Sequence, residues 1–143
     1  MSLTIRPARA EELLACAALY ERVAQRFDWE EPGVRTAESK LSSFEGEEVF
    51  VAHEGETLVG FLSLWRADNF VHSLFAEPQG RGIGPALLAH VAAGADGPLS
   101  LKCVDLNSDA QRFYRRQGFV PVDRGESRGR AWTRFQAAEG GMP

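Results

Sequence analysis

A glycine-rich stretch in mid-chain, Gln79-Gly80-Arg81-Gly82-Ile83-Gly84, follows a strand-like run from Phe70 to Ala76 and precedes a helical one from Pro85 to Ala95. A strand that feeds a helix through such a loop aims unpaired N–H groups and the positive helix end at one point, which suits an anion. Glycines there keep Cβ atoms out of the way of a group approaching the main chain. A dinucleotide fingerprint would need an early strand-helix-strand unit with an acid about 20 residues past its glycines, and a Walker loop would need Gly-Lys-Ser/Thr. Both contexts are missing, so the loop either binds a different phosphate-bearing ligand or only makes a tight turn.

The segments on either side form one unit. Leu3 to Arg6 is predicted as a short strand, and Glu11 to Phe27 as an amphipathic helix with Leu13, Ala17, Tyr20, Ala24 and Phe27 three and four apart. Phe27 to Gly33 breaks that helix, and Arg35 to Phe44 allows a weaker second one. Glu48 to His53 and Thr57 to Arg66 flank Glu54-Gly55-Glu56 and predict a hairpin. After the loop come a helix from Pro85, a strand from Leu99 to Val104, and a helix capped by Asn107 or Ser108 with Gly118 at its end. Phe119 to Val122 and Ala131 to Phe135 are closing strands, and about 137–143 is expected to be a frayed tail. The order predicts a single α+β domain over 1–143.

Composition narrows the partners. A formal charge of -4 supplies no field for a nucleic-acid backbone, and no apolar run is long enough for a membrane span. The cysteines Cys16 and Cys103 and the histidines His53, His72 and His90 are dispersed, without metal-site spacing. A metal-free cytoplasmic protein, monomeric or homodimeric, is the expectation.

The loop resembles the acetyl-CoA motif of the GNAT (GCN5-related N-acetyltransferase) superfamily, Gln/Arg-x-x-Gly-x-Gly/Ala, through Gln79, Gly82 and Gly84. Further on, Asn107-Ser108-Asp109-Ala110-Gln111-Arg112-Phe113-Tyr114-Arg115-Arg116-Gln117-Gly118-Phe119 is similar to that family's Asn-x-x-Ala-x-x-Phe-Tyr-x-x-x-Gly-Phe segment. The resemblance implies a mixed, centrally splayed sheet flanked by about four helices, with acetyl-CoA as cofactor. It implies a diphosphate on Gln79, Gly80, Arg81, Gly82, Ile83 and Gly84, and a pantetheine arm along Leu74, Phe75 and Ala76. Asn107 would bind that arm, with Ala110, Phe113 and Tyr114 close by. Pro85, read as the first helical residue, withholds one N–H from the phosphates.

Acetyl transfer to an amine needs a neutral nucleophile, and a lysine-like amine is neutral in on the order of one molecule per thousand at pH 7. His72 lies where some relatives place a base beside the amine; it is either that base or a histidine on the sheet surface. Strand alternation puts it with Phe70 and Leu74, opposite Val71, Ser73 and Phe75. Tyr114 matches the tyrosine that in many relatives protonates the departing CoA sulfur; the other reading is a core aromatic beside Phe113. The acceptor would be an amine-bearing small molecule or peptide. Phe27, Asp28, Trp29, Glu30 and Glu31 suggest a wall for a cationic amine, through carboxylates and an indole face. Arg124, Arg128, Arg130 and Arg134 suggest instead a holder for an anionic group. The alternative function is a non-catalytic acyl-CoA-binding module.

Overall fold

A computed structural model describes residues 3–30 and 33–138. The described strands are β1 (Leu3–Pro7), β2 (Glu48–Glu54), β3 (Thr57–Trp65), β4 (Phe70–Ala76), β5 (Ser100–Val104), β6 (Phe119–Ser127) and β7 (Arg130–Ala137). The α-helices are α1 (Leu13–Ala24), α2 (Ala37–Ser43), α3 (Ile83–Ala93) and α4 (Ser108–Arg116). The strands form one sheet in the order β1-β2-β3-β4-β5-β7-β6, antiparallel except for β4 against β5. This is the mixed α+β architecture expected, with its elements in the expected order.

Several boundaries move for local reasons. The first helix ends at Ala24, before the aromatic segment, and α3 begins at Ile83 with Gly82 as its cap. Pro85 is therefore the third helical residue, still in the first turn, where a missing N–H removes no intrahelical bond. Asn107 caps α4, its side chain accepting from the Ala110 N–H at 3.2 Å. The residues from 123 to 130, between the two expected closing strands, are mostly strand as well. Arg128 and Gly129, at φ +53° and +77°, make the two-residue turn that continues β6 into β7. Ala137, counted in the expected tail, is buried at the end of β7, where its N–H donates to the Leu99 carbonyl at 2.9 Å.

Two apolar clusters cover the faces of the sheet. One joins Leu62, Leu64 and Val71 to Ile83, Leu87, Leu88 and Val91 of α3. The other joins Val51 and Phe61 to Cys16, Leu19, Tyr20 and Val23 of α1. The register places Ser63 opposite Ser73 but Leu64 opposite Val71, so His72 is an extra, bulged residue on β4. Simple alternation fails there: Val71 packs under α3, whereas Ser73 and Phe75 turn toward α1 and α2. Pairing with β5 stops at the same place, since only Phe70 and Val71 have partners on it. The sheet splays at the bulge.

Gly60 on β3 lets α3 approach. A Cβ there would lie 2.7 Å from the Ile83 side chain and 3.1 Å from the Phe75 carbonyl oxygen. Gly60→Ala is expected to lower the unfolding free energy by about 1–3 kcal/mol by overpacking. Urea unfolding should show it as a lower midpoint at unchanged slope.

Candidate active site

The splay opens a cleft of ≈ 1370 Å³. One wall is the unpaired edge of β4 from His72 to Ala76, and the facing wall is Lys102, Cys103 and Val104 of β5. The glycine-rich loop closes one end of the cleft. Inner residues of α1 and α2 line the other.

At the loop end the glycines have different duties. Gly80 and Gly82 sit at φ +78° and +76°, in the left-handed region that favours glycine, and a Cβ on either would meet no protein atom within 4 Å. Gly84 has a helical backbone, and its missing Cβ makes room for the Phe113 ring, which such an atom would approach to 3.1 Å. The loop's α3 start is thereby seated on α4. Ile83 and Gly84 contribute first-turn N–H groups that have no intrahelical partner. The Gln79 side chain donates to the Ala76 carbonyl at 2.9 Å, and the Arg81 guanidinium pairs with Glu54 at 2.9 Å. Gln79, Gly80, Gly82, Ile83 and Gly84 border the cleft; the Arg81 side chain turns away from it.

Across the cleft, Asn107 uses Oδ1 as the helix cap and keeps its amide N–H groups for the opening. Ala110, Phe113 and Tyr114 pack on the α3-side core and also border the cleft. The Tyr114 ring is caged by Phe113 and Phe119 at centroid distances of 5.1 and 5.7 Å. Burial, and secondarily Cys103, push the phenol pKa well above its ordinary value. The same burial pushes the Cys103 thiol up to about 11, so at neutral pH it stays a thiol.

The opposite end carries residues that no motif announced. The bulge turns His72 toward the segment after α2, where its Nδ1 lies 2.7 Å from Glu47 Oε2. The next residue, Ser73, accepts from the Lys40 ammonium at 2.6 Å. Lys40 is only 7% exposed and sits 4.5 Å from the centre of the Tyr20 ring. Burial lowers its pKa to about 8. In the sequence Lys40 and Glu47 look like ordinary surface charges of a short helix and turn. Only the fold brings them to β4.

Of the segment expected to hold a cation, Phe27, Asp28 and Trp29 border the cleft, and Glu31 lies outside the described residues. The Glu30 carboxylate is already matched within the chain. Glu30 receives Arg35 on one oxygen at 2.8 Å and Arg130 on the other at 2.9 Å. Both guanidinium groups also lie against the Trp29 ring, at 5.4 and 5.6 Å from its centre. Arg130, expected in a separate patch, thus reaches Glu30 across the fold.

A family profile described as an acetyltransferase (GNAT) domain matches residues 45–121. Among solved structures, the apo form of YjaB from Escherichia coli superposes with a TM-score of 0.79 at 26% identity, covering 96% of this chain and 100% of that one. A GCN5-related N-acetyltransferase from Rhodopseudomonas palustris gives 0.74 at 21% identity, covering 96% of both chains. A putative acetyltransferase from Salmonella typhimurium, yncA, determined with its cofactor acetyl-CoA, gives 0.68 at 21% identity over 95% of this chain and 93% of that one. No curated protein matches the sequence significantly.

The buried ammonium has a measurable consequence. Unfolded, Lys40 keeps its proton to its ordinary 10.5; folded, it releases it near about 8. Between those values the unfolded chain binds more protons, so the stability of the native protein rises with pH in that window. Relative to Lys40→Met, the wild type should gain on the order of 3 kcal/mol from pH 7 to above 10.5, measured by urea unfolding across pH.

Proposed function

The chain belongs to the GNAT acetyltransferase family, and from that premise we propose that it is an N-acetyltransferase that moves an acetyl group from acetyl-CoA to the primary amine of a small molecule or peptide by direct attack. One observation carries the reading: the bulge at His72 opens a cleft with an anion-type loop at one end and a Glu47–His72 pair at the other.

The residues present fit the cofactor. Gly80 and Gly82 leave open space beside the main chain, where a Cβ would intrude, and the Ile83 and Gly84 N–H groups suit a diphosphate. Leu74, Phe75 and Ala76 offer an unpaired strand edge to the pantetheine arm, and the Asn107 amide offers a donor across from it. When bound, acetyl-CoA supplies an acetyl group activated as a thioester. A β4 backbone N–H near Leu74 or Phe75 is suited to polarise the acetyl carbonyl.

The chain's own groups handle the protons. In the neutral His72 ring, Nδ1–H donates to Glu47, which fixes the tautomer and leaves the Nε2 lone pair to receive a proton from the amine. Glu47 is thus a positioning residue, 9% exposed and held between His72 and the field of Lys40. Tyr114 keeps its proton at neutral pH and has a hydroxyl-bearing ring on the cleft, which supports its role as donor to the departing thiolate.

Thiol release from acetyl-CoA across a panel of amines tests the activity; tight CoA binding with no turnover on any amine would leave only a binding module. His72→Gln is expected to lower the rate by roughly 10²–10⁴ and erase the acidic limb of the pH–rate profile. Glu47→Gln should lower it less and move that limb, whereas an unchanged profile in both variants would hand the proton to water. Tyr114→Phe keeps the ring and should slow single-turnover acetyl transfer by about 10²-fold or more with near-normal acetyl-CoA binding. Equal single-turnover rates would remove the acid role.

A further inference from the structure

The end of the cleft beyond His72 gathers one buried cation, Lys40, and two partly exposed ones, Arg35 and Arg130. Arg35 and Arg130 share one carboxylate, Glu30, which leaves this trio one positive charge in excess. Arg35 also donates to the Tyr20 hydroxyl at 3.3 Å, and Lys40 lies over the face of the same ring. An ammonium has three donors, and a nine-tenths-buried one is costly unless they are used. Lys40 has a hydrogen bond to Ser73 and a ring contact. The Tyr20 hydroxyl, already accepting from Arg35, keeps its own proton to give. Tyr20, Arg35 and Lys40 all line the cleft; the carboxylates at this end are Asp28, exposed at the rim, and Glu47, which is engaged by His72 and opposes the Lys40 charge from the segment after α2.

From this convergence we propose that Lys40, Arg35 and the Tyr20 hydroxyl form an anion subsite, and that the acceptor is a small amine carrying a carboxylate. The inference rests on the acetyltransferase reading and names its substrate class. Geometry sets the spacing. His72 and Ser73 are consecutive on the bulge, and both meet groups from the α2 side, Glu47 and Lys40. The candidate base and the residue that meets Lys40 are therefore consecutive, about 3.4 Å apart along the strand. Groups anchored on consecutive residues suit an amino acid, whose amine and carboxylate are a few bonds apart. A long diamine or a lysine side chain would bring only positive charge to this end.

The test uses the full chain loaded with CoA or acetyl-CoA, and the common L-amino acids, their primary amides and the corresponding decarboxylated amines. Calorimetry with CoA reads binding; thiol release with acetyl-CoA reads transfer. Amino acids are expected to exceed their amides in kcat/KM by about 10- to 100-fold, the worth of a charge-assisted hydrogen bond. Lys40→Met should collapse that ratio toward unity through KM, and Lys40→Arg should restore part of it. Arg35→Gln, which leaves Lys40 in place, should reduce the ratio independently. Amides or decarboxylated amines handled as well as the acids would overturn the subsite, as would a ratio unchanged in Lys40→Met and Arg35→Gln, or calorimetry detecting no amino acid binding. Lys40-dependent amino acid binding without any acetyl transfer would instead uphold the subsite and remove the enzymatic reading.

Discussion

The one extra residue in β4 governs the rest of this molecule. Up to Val71 the strand pairs with β5, and after His72 it pairs only with β3. A regular strand would have carried hydrogen bonding to β5 along its whole length and closed the sheet. The bulge adds local twist and leaves the β4 edge from His72 to Ala76 facing the cleft. It also turns two consecutive side chains, His72 and Ser73, to partners on the α2 side. Opening the cleft and aiming the candidate base are thus consequences of one backbone irregularity.

The glycines hold the opposite end in register with that opening. Gly60 brings α3 close to the sheet, and Gly84 brings Phe113 of α4 against the start of α3. The positive end of α3 is fixed by packing on both sides, while Gly80 and Gly82 only shape the turn before it. Spacing between the loop and His72 is therefore set by the core that joins Ile83, Leu87 and Val71, not by the loop itself. A rigid separation is what positioning a long cofactor against a fixed base requires.

Element order and the two motif segments were legible in the sequence because each rests on short-range signals: apolar periodicity, glycines at turns, and Asn107 as a cap. The bulge was not, since Phe70-Val71-His72-Ser73-Leu74-Phe75 carries the same alternation whether or not one residue is skipped. The acceptor end was illegible for another reason. Arg130 meets Glu30 across 100 positions of chain, and Lys40 reaches Ser73 across 33. Charge in the segment from Phe27 to Glu31 looks unopposed when read alone, yet Glu30 is matched on both oxygens once Arg35 and Arg130 are folded onto it.

The cations that line this end of the cleft bear on the chemistry as well as on recognition. An acceptor amine must shed its proton before it can attack, and at neutral pH the charged form dominates for an ordinary aliphatic amine. A wall of carboxylates would bind the ammonium and hold it protonated. Cations at Lys40 and Arg35 act in the opposite direction, since like charge at short range in a partly desolvated cleft favours loss of the proton. The expense of keeping Lys40 buried, visible in its lowered pKa, falls on the fold rather than on the reaction. In the proposed subsite a carboxylate on the acceptor would supply the attraction that the amine cannot. In the proposed reaction one cluster would both hold the substrate and bias it toward the neutral nucleophile that a base at His72 would finish deprotonating.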